Sequence, residues 1–177
     1  HYMYGEETTS NGNNAYGYDD KPILIHTVVD SGGTDSIDAS SVTRSSTINL
    51  TPGTFSSIGI YTKAQQLADI ETNFGASVKS NVETFMATLD GNAASGDAIY
   101  TGVDNVAIAA GTLIENVFGG SGDDTITGNH LNNTIQAGAG DDTIDGGDGD
   151  GDTAQFNGAS TDYTISTVGG TTTVTDN

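Results

Sequence analysis

The chain has 177 residues, the size of one domain and long enough to bury a core. Its 24 Asp and Glu against 4 Lys and Arg give a formal net charge of -20, which repels itself in a compact state unless cations bind and argues against nucleic acid as a partner. There is no cysteine for a disulfide or thiolate metal site, no apolar run near the ~18 residues of a membrane span, and no basic-then-apolar leader at the start.

Residues 1–20, rich in Gly, Asn and Tyr, read as turns. Two β-branched runs bounded by turn residues predict strands, Ile23 to Val29 and Ser46 to Thr51, with the Gly/Asp turn "DSGGTDSID" between them. From Thr62 to Leu89 the period changes. Leu67, Ile70 and Phe74, then Val78, Val82, Phe85, Met86 and Leu89, recur at helical spacing and predict two amphipathic helices stopped at Gly75 and Gly91. Their apolar stripes are expected to pack on the sheet, with a partner-binding helical hairpin as the alternative. The run "DNVAIAAGTLIENVF" predicts one or two further strands, and "DYTISTVGGTTTVTD" predicts a hairpin about Gly169-Gly170. These short apolar runs separate the chain from disordered sequences of similar charge.

Between them the period is nine: "GGSGDDTIT" at 119–127, "GNHLNNTIQ" at 128–136, "AGAGDDTID" at 137–145 and "GGDGDGDTA" at 146–154. A nonapeptide with glycine-rich turn, a sixth-position Asp and a single large apolar residue is the pattern of a calcium-binding parallel β-helix. Glycine lets turn carbonyls point inward, the central Ile of the three-residue strand enters the core, and two nonapeptides close one coil. Turns 18 residues apart then stack, and each pair encloses carbonyl and carboxylate oxygens, the hard donors that suit Ca²⁺ and not Zn²⁺. A helix-loop-helix calcium loop at "DGDGDT" (148–153) is excluded by Ala159 at its twelfth position and by the lack of flanking helices.

With these motifs in view the chain resembles the C-terminal RTX region of the serralysin family of secreted bacterial zinc metalloproteases. The likeness rests on "YGEETTSNGNNAYGY", "DSGGTDSIDAS", "STINLTPGTFSSIG", "NVAIAAGTLIENVFGGSGDDTITGN" and "NNTIQAGAGDDTIDGG", in family order and interrupted between Ile60 and Gly102. It implies a mainly β fold, a right-handed parallel β-roll with flanking β-sandwich-like strands and a small helical insertion. One domain, 1–177, then divides into N-terminal turns and strands (1–60), the insertion (61–101), the roll (102–154) and the hairpin (155–177).

The resemblance also implies several Ca²⁺ ions and their ligands. One ion would take the carbonyls of Ser10 and Gly12 and the Asn14 side chain with Asp30, the Gly32 carbonyl and Asp35. A second would take the Gly33 carbonyl, Asp35, the Leu113 carbonyl and Glu115. In the repeats Gly120, Gly122 and Asp124 would share an ion with Ala137, Ala139 and Asp142. Asn129, Leu131 and Asn133 would face Gly146 and Asp148, with Asp150 or Asp152 replacing the sixth-position Asp that Gly151 displaces. Gly138 and Gly140 would look toward 155–160, which lacks the motif.

No catalytic pattern is present: His1, His26 and His130 fall in no H-E-x-x-H frame, and there is neither a G-x-S-x-G elbow nor a phosphate loop. His26 reads as a packed or surface residue and His130 as solvent-facing. The expected protein is a non-catalytic, monomeric, extracellular bacterial module whose resemblance implies a catalytic domain upstream and calcium-coupled folding and secretion. The competing expectation is a calcium-dependent module that binds a polysaccharide or cell surface, with Tyr2, Tyr4, Tyr16, Tyr18, Tyr61 and Tyr100 as stacking faces. The ending "VTDN" departs from the family's acidic and apolar secretion tail, leaving truncation or another export route open.

Overall fold

The computed structural model describes residues 11–20, 25–90, 101–168 and 171–176. Among them the elements run β1 (Ala15–Asp19), β2 (His26–Val28), β3 (Ser36–Ser41), β4 (Thr47–Asn49), β5 (Phe55–Ser56), α1 (Lys63–Phe74), α2 (Ala76–Asp90), β6 (Val106–Ile108), β7 (Asn116–Phe118), β8 (Thr125–Thr127), β9 (Thr134–Gln136), β10 (Thr143–Asp145), β11 (Thr153–Ala154), β12 (Tyr163–Val168) and β13 (Thr171–Asp176). The fold is therefore mainly strands, arranged in several parallel sheets, with two helices.

A three-residue strand needs only one apolar side chain, because its middle residue points opposite to its two neighbours. In β8 that residue is Ile126, fully buried between exposed Thr125 and half-exposed Thr127. Repetition of this unit builds two walls. One is the sheet β1-β3-β7-β9-β11, parallel throughout, in which Ile37, Val117 and Ile135 lie side by side. The other contains β4-β8-β10, where Ile48, Ile126 and Ile144 align, and β2-β6-β5, joined to it by an antiparallel bridge between Thr47 and Ser57. Both rows enter one core with Val28, Leu50, Ile108 and Ile114. Each fully buried Ile contributes roughly 1.5–3 kcal/mol.

Two expectations change here. The N-terminal strands do not form a separate flanking sandwich: β1 and β3 continue the sheet of the repeats, Tyr18 of β1 and Ile37 and Ala39 of β3 entering the same core. The helices form where the spacing predicts, α1 opening on a Thr62–Gln65 capping box and ending at Gly75 with φ +87°. Among the described side chains their apolar stripes are not buried against the sheet. No residue of α1 is buried, and Phe74, Val78 and Phe85 are 70%, 42% and 63% exposed. Gly75 turns α2 back onto α1, and the two helices pack on each other. Gly91 and the other positions between 91 and 100 lie outside the described residues.

The last hairpin forms in the expected register, Val168 opposite Thr171 and Tyr163 opposite Asp176, with Gly169 and Gly170 outside the described residues. No helix among the described residues is long and apolar enough to cross a membrane.

Candidate metal centres at the stacked turns

Between the walls the connecting turns stack along two edges. On one edge lie 12–14, 30–35, 109–115, 128–133 and 146–152; on the other lie 42–46, 119–124 and 137–142. Backbone bonds tie each layer to the next, as in Ala139 N–H to the Gly120 carbonyl (3.0 Å) and Asp148 N–H to the Asn129 carbonyl (3.0 Å).

Asp35 is the best-buried acid of the first edge. Its Oδ1 accepts the Asn14 N–H (2.8 Å), its own N–H donates to Glu115 Oε2 (2.8 Å), and its Oδ2, although buried, has no hydrogen-bond partner. Beside it Asp30 Oδ2 accepts the Tyr16 hydroxyl (2.6 Å) and the Asn14 amide (3.1 Å), while Oδ1 accepts the Gly32 N–H (2.9 Å). Burial pushes the Asp30 carboxyl up, but the Tyr16 hydroxyl, the Gly32 and Ser31 N–H groups and the Asn14 amide outweigh it and hold it below the usual carboxylate range. Gly33 lies against Gly12, where a Cβ would come within 2.4 Å of the Gly12 carbonyl oxygen, and that carbonyl also accepts from Asn14 Nδ2. The first turn thus meets the second as expected, and Glu115 joins them from 80 residues away. Leu113 stands in the same turn as Glu115, 36% exposed. Ser10 lies outside the described residues.

On the second edge Asp124 is buried. Its Oδ1 accepts Ser46 N–H (2.7 Å), its Oδ2 accepts Gly120 N–H (3.0 Å), and its own N–H donates to Asp142 Oδ1 (2.8 Å), 18 residues on. Burial raises the Asp124 carboxyl; the two N–H donors lower it and the facing Asp142 carboxylate raises it again, so the net displacement is upward. A Cβ on Gly119 would meet both the Ala137 carbonyl oxygen (2.0 Å) and Asp124 Oδ2 (2.9 Å), so that carbonyl lies beside the pair with Gly120, while Ala139 is bonded to Gly120 in the stacked turn; Asp123 points out as expected, accepting Asp141 N–H on the exposed side. Gly138 sits directly on the layer below: at φ +110° its Cβ position would lie 2.0 Å from the Gly120 carbonyl oxygen. The segment 155–160, expected to follow Gly138 and Gly140 in the stack, is exposed throughout.

The remaining repeat pair contains one extra residue, and the register shows where. A Cβ on Gly149 would lie 2.3 Å from the Leu131 carbonyl oxygen, 18 residues back, whereas Gly151 N–H reaches Asn132 Oδ1 (3.1 Å) and Asn133 N–H reaches Asp152 Oδ1 (2.8 Å), both 19 residues apart. Asp150 is therefore the bulged, exposed residue. Asp152 stands opposite Asn133 as Asp142 stands opposite Asp124. Asp148 N–H donates to the Asn129 carbonyl (3.0 Å) and Gly149 covers Leu131, as Ala139 donates to Gly120 and Gly140 covers Gly122 in the other pair, and a Cβ on Gly128 would meet the Gly146 carbonyl oxygen (2.1 Å).

The sequence left Tyr16 and Thr112 out of this site, although Tyr16 holds Asp30 and Thr112 Oγ1 accepts the Asp30 N–H (3.0 Å). Alternation in Ala15–Asp19, which turns Tyr16 and Tyr18 to the same side, was the available signal. Tyr18 meets His26 Nδ1 (2.9 Å), and burial depresses the half-buried imidazole. Tyr61 lies under the Arg44 guanidinium (3.9 Å to the ring centroid) with its hydroxyl on Asp69. Tyr16 and Tyr18 have inward partners, whereas Tyr61 and its partner Asp69 lie at the surface; Tyr2, Tyr4 and Tyr100 lie outside the described residues. His130 is exposed.

Among the described residues no three His, Cys, Asp or Glu side chains gather in one metal cage. Oxygen donors instead converge as carboxylates with glycine-turn carbonyls, which is the donor set of a hard cation. The partnerless Asp35 Oδ2 and the close-stacked glycine turns fit such an ion.

Short parallel strands in several sheets, joined by stacked turns, define the class of protein. Within it, the family model for the peptidase M10 serralysin C terminal matches residues 1–81 and 92–165, and the chain belongs to that family, the C-terminal, non-catalytic part of a peptidase group. The unmatched 82–91 falls in the second half of α2 and just beyond it. No curated protein matches the chain.

Proposed function

We propose that the chain is a calcium-binding right-handed β-roll module of a secreted bacterial protein of serralysin type, in which ion binding drives folding outside the cell. The observation that carries this reading is Asp35, whose fully buried carboxylate leaves Oδ2 without a partner beside Asp30 and Glu115. A buried anion costs free energy that a divalent cation offsets. Asp30, Asp35, Glu115 and Asn14, with the Gly12, Gly32, Gly33 and Leu113 carbonyls, would hold ions on one edge. Asp124 and Asp142, with the carbonyls of Gly120, Gly122, Ala137 and Ala139, would hold one on the other. Asn129, Leu131, Asn133, Gly146, Asp148 and Asp152 would hold a further one on the first edge.

The ion supplies positive charge shared between turns; the chain supplies geometry. Without calcium the carboxylates of a chain at -20 repel one another. At the calcium concentration outside a cell the folded form alone binds, and linkage stabilises it. In a parent protease the module would support secretion and stability of a catalytic domain. Titration of chelator-treated protein with CaCl₂ in a calorimeter tests the reading: saturable binding that tracks gain of β structure supports it, and heats equal to buffer dilution sink it.

The exposed Phe74, Val78 and Phe85 favour a second role, display of the helical hairpin to a polysaccharide or surface. A glycan screen with and without calcium tests it.

A further inference from the structure

The N-terminal half and the repeats meet at a seam, where turns 42–46 and 109–115 pack on turns 119–124 and 128–133. We infer that this seam is closed by hydrogen bonds alone and needs no calcium, so that ions load two blocks on either side of a joint that persists without them. The inference rests on the calcium reading above.

Asp124 and Asn133 occupy equivalent places on opposite edges. Each accepts the N–H of the residue four before it: Gly120 N–H to Asp124 Oδ2 (3.0 Å) and Asn129 N–H to Asn133 Oδ1 (2.8 Å). The second side-chain atom faces the seam. Across from Asp124 the neighbour offers a donor, Ser46 N–H, and an oxygen stands there (2.7 Å). Across from Asn133 the neighbours are acceptors, the carbonyls of Ile114 (3.2 Å) and Glu115 (3.1 Å), and a nitrogen stands there. Asn129 repeats the device, its Nδ2 donating to the Ile114 carbonyl (2.8 Å). Asn129 and Asn133 are 4% and 1% exposed, so the polarity of each partner decides the residue type. An aspartate at 133 would set a carboxylate oxygen against two carbonyl oxygens, an arrangement that only a cation could hold together. The amide nitrogens do the work of an ion here. Turn 42–46 carries no carboxylate of its own; the Asp20 carboxylate that reaches it is taken up by the Thr43 N–H (2.9 Å) and hydroxyl and by Arg44, so across the seam the turn offers Asp124 a backbone donor, Ser46 N–H (2.7 Å).

Amide hydrogen exchange on the full chain, with calcium and with chelator, tests this. Thr125 and Thr134, whose N–H groups cross the seam to Ser46 and Glu115 carbonyls, should keep their protection in chelator, while Thr143 and Thr153, bonded across the repeat pairs, should lose at least tenfold. Opening of Thr125 and Thr134 together with Thr143 and Thr153 overturns the inference. Native mass spectrometry supplies the second arm: Asn133→Asp should carry one calcium more than the wild type, and an unchanged count overturns it. A wild type that carries no calcium sinks the underlying reading instead, so the two failures are distinct.

Discussion

Asp35→Asn removes one charge with almost no change of shape, and its effect should reverse sign with calcium. In the folded chain Asp35 Oδ1 keeps the Asn14 N–H, and the Asp35 backbone N–H keeps Glu115 Oε2, so the substitution spares both bonds. What it alters is Oδ2, buried and without a partner. Leaving such an oxygen unpaired costs about 1–3 kcal/mol, and a charged one more. In chelator, then, the Asp35→Asn variant should be at least as stable as the wild type, by up to about 1–3 kcal/mol on the same scale. With calcium at about 100 times the dissociation constant, one ion stabilises the wild type by about 2.7 kcal/mol, and the variant forfeits most of that gain. Urea titrations followed by circular dichroism in both conditions read the two differences, and the order of stability should invert between them. A variant that is destabilised equally in chelator and in calcium would refute the reasoning, because Asp35 would then be a structural acid and not an ion ligand.

Asp124→Ala and Asp142→Ala should each raise the calcium midpoint of folding, whereas exposed His130→Ala should leave it in place; three equal effects would contradict the stacked pair. Gly138→Ala must place a Cβ 2.0 Å from the Gly120 carbonyl oxygen, losing the Ala139 bond and straining the backbone, for about 2–4 kcal/mol. Gly111, with φ +88° and open space around it, should cost only about 1–2 kcal/mol when changed to Ala, and equal losses in denaturant midpoints would argue against the close stack. Burial depresses His26, so the unfolded chain takes the proton first and stability falls as pH drops below the unfolded value of 6.5. His26→Gln keeps an acceptor for the Tyr18 hydroxyl and should flatten the slope between pH 7 and about 5; an unchanged slope removes His26 as its source.

The repeats were legible because their physics is periodic. Ile126 and Ile135 enter the core and the turns stack 18 residues apart, as nine-residue units dictate. The helices were legible from their spacing and from Thr62 and Gly75. Strands β1 and β3 were not, since their inward residues, Tyr16 and Tyr18 or Ile37 and Ala39, alternate with Gly, Asp and Ser inside turn-like sequence and form no apolar run. Nor could spacing show what covers a helix: Phe74 and Phe85 follow the amphipathic rule and yet lie exposed, although α2 packs on α1. The choice between Asp150 and Asp152 needed the register of Gly149 and Gly151, which is a property of the neighbouring coil. Asn133 was readable as a ligand-type residue, but the reason for Asn over Asp lies in two carbonyls nearly twenty residues earlier.

Calcium-coupled folding is tested most directly by thermal unfolding of the whole chain in chelator and in calcium, with magnesium as the control. Each occupied site should raise the midpoint by about 5–10 °C at about 100 times its dissociation constant, with little response to magnesium. Identical midpoints in chelator and in calcium would contradict the account.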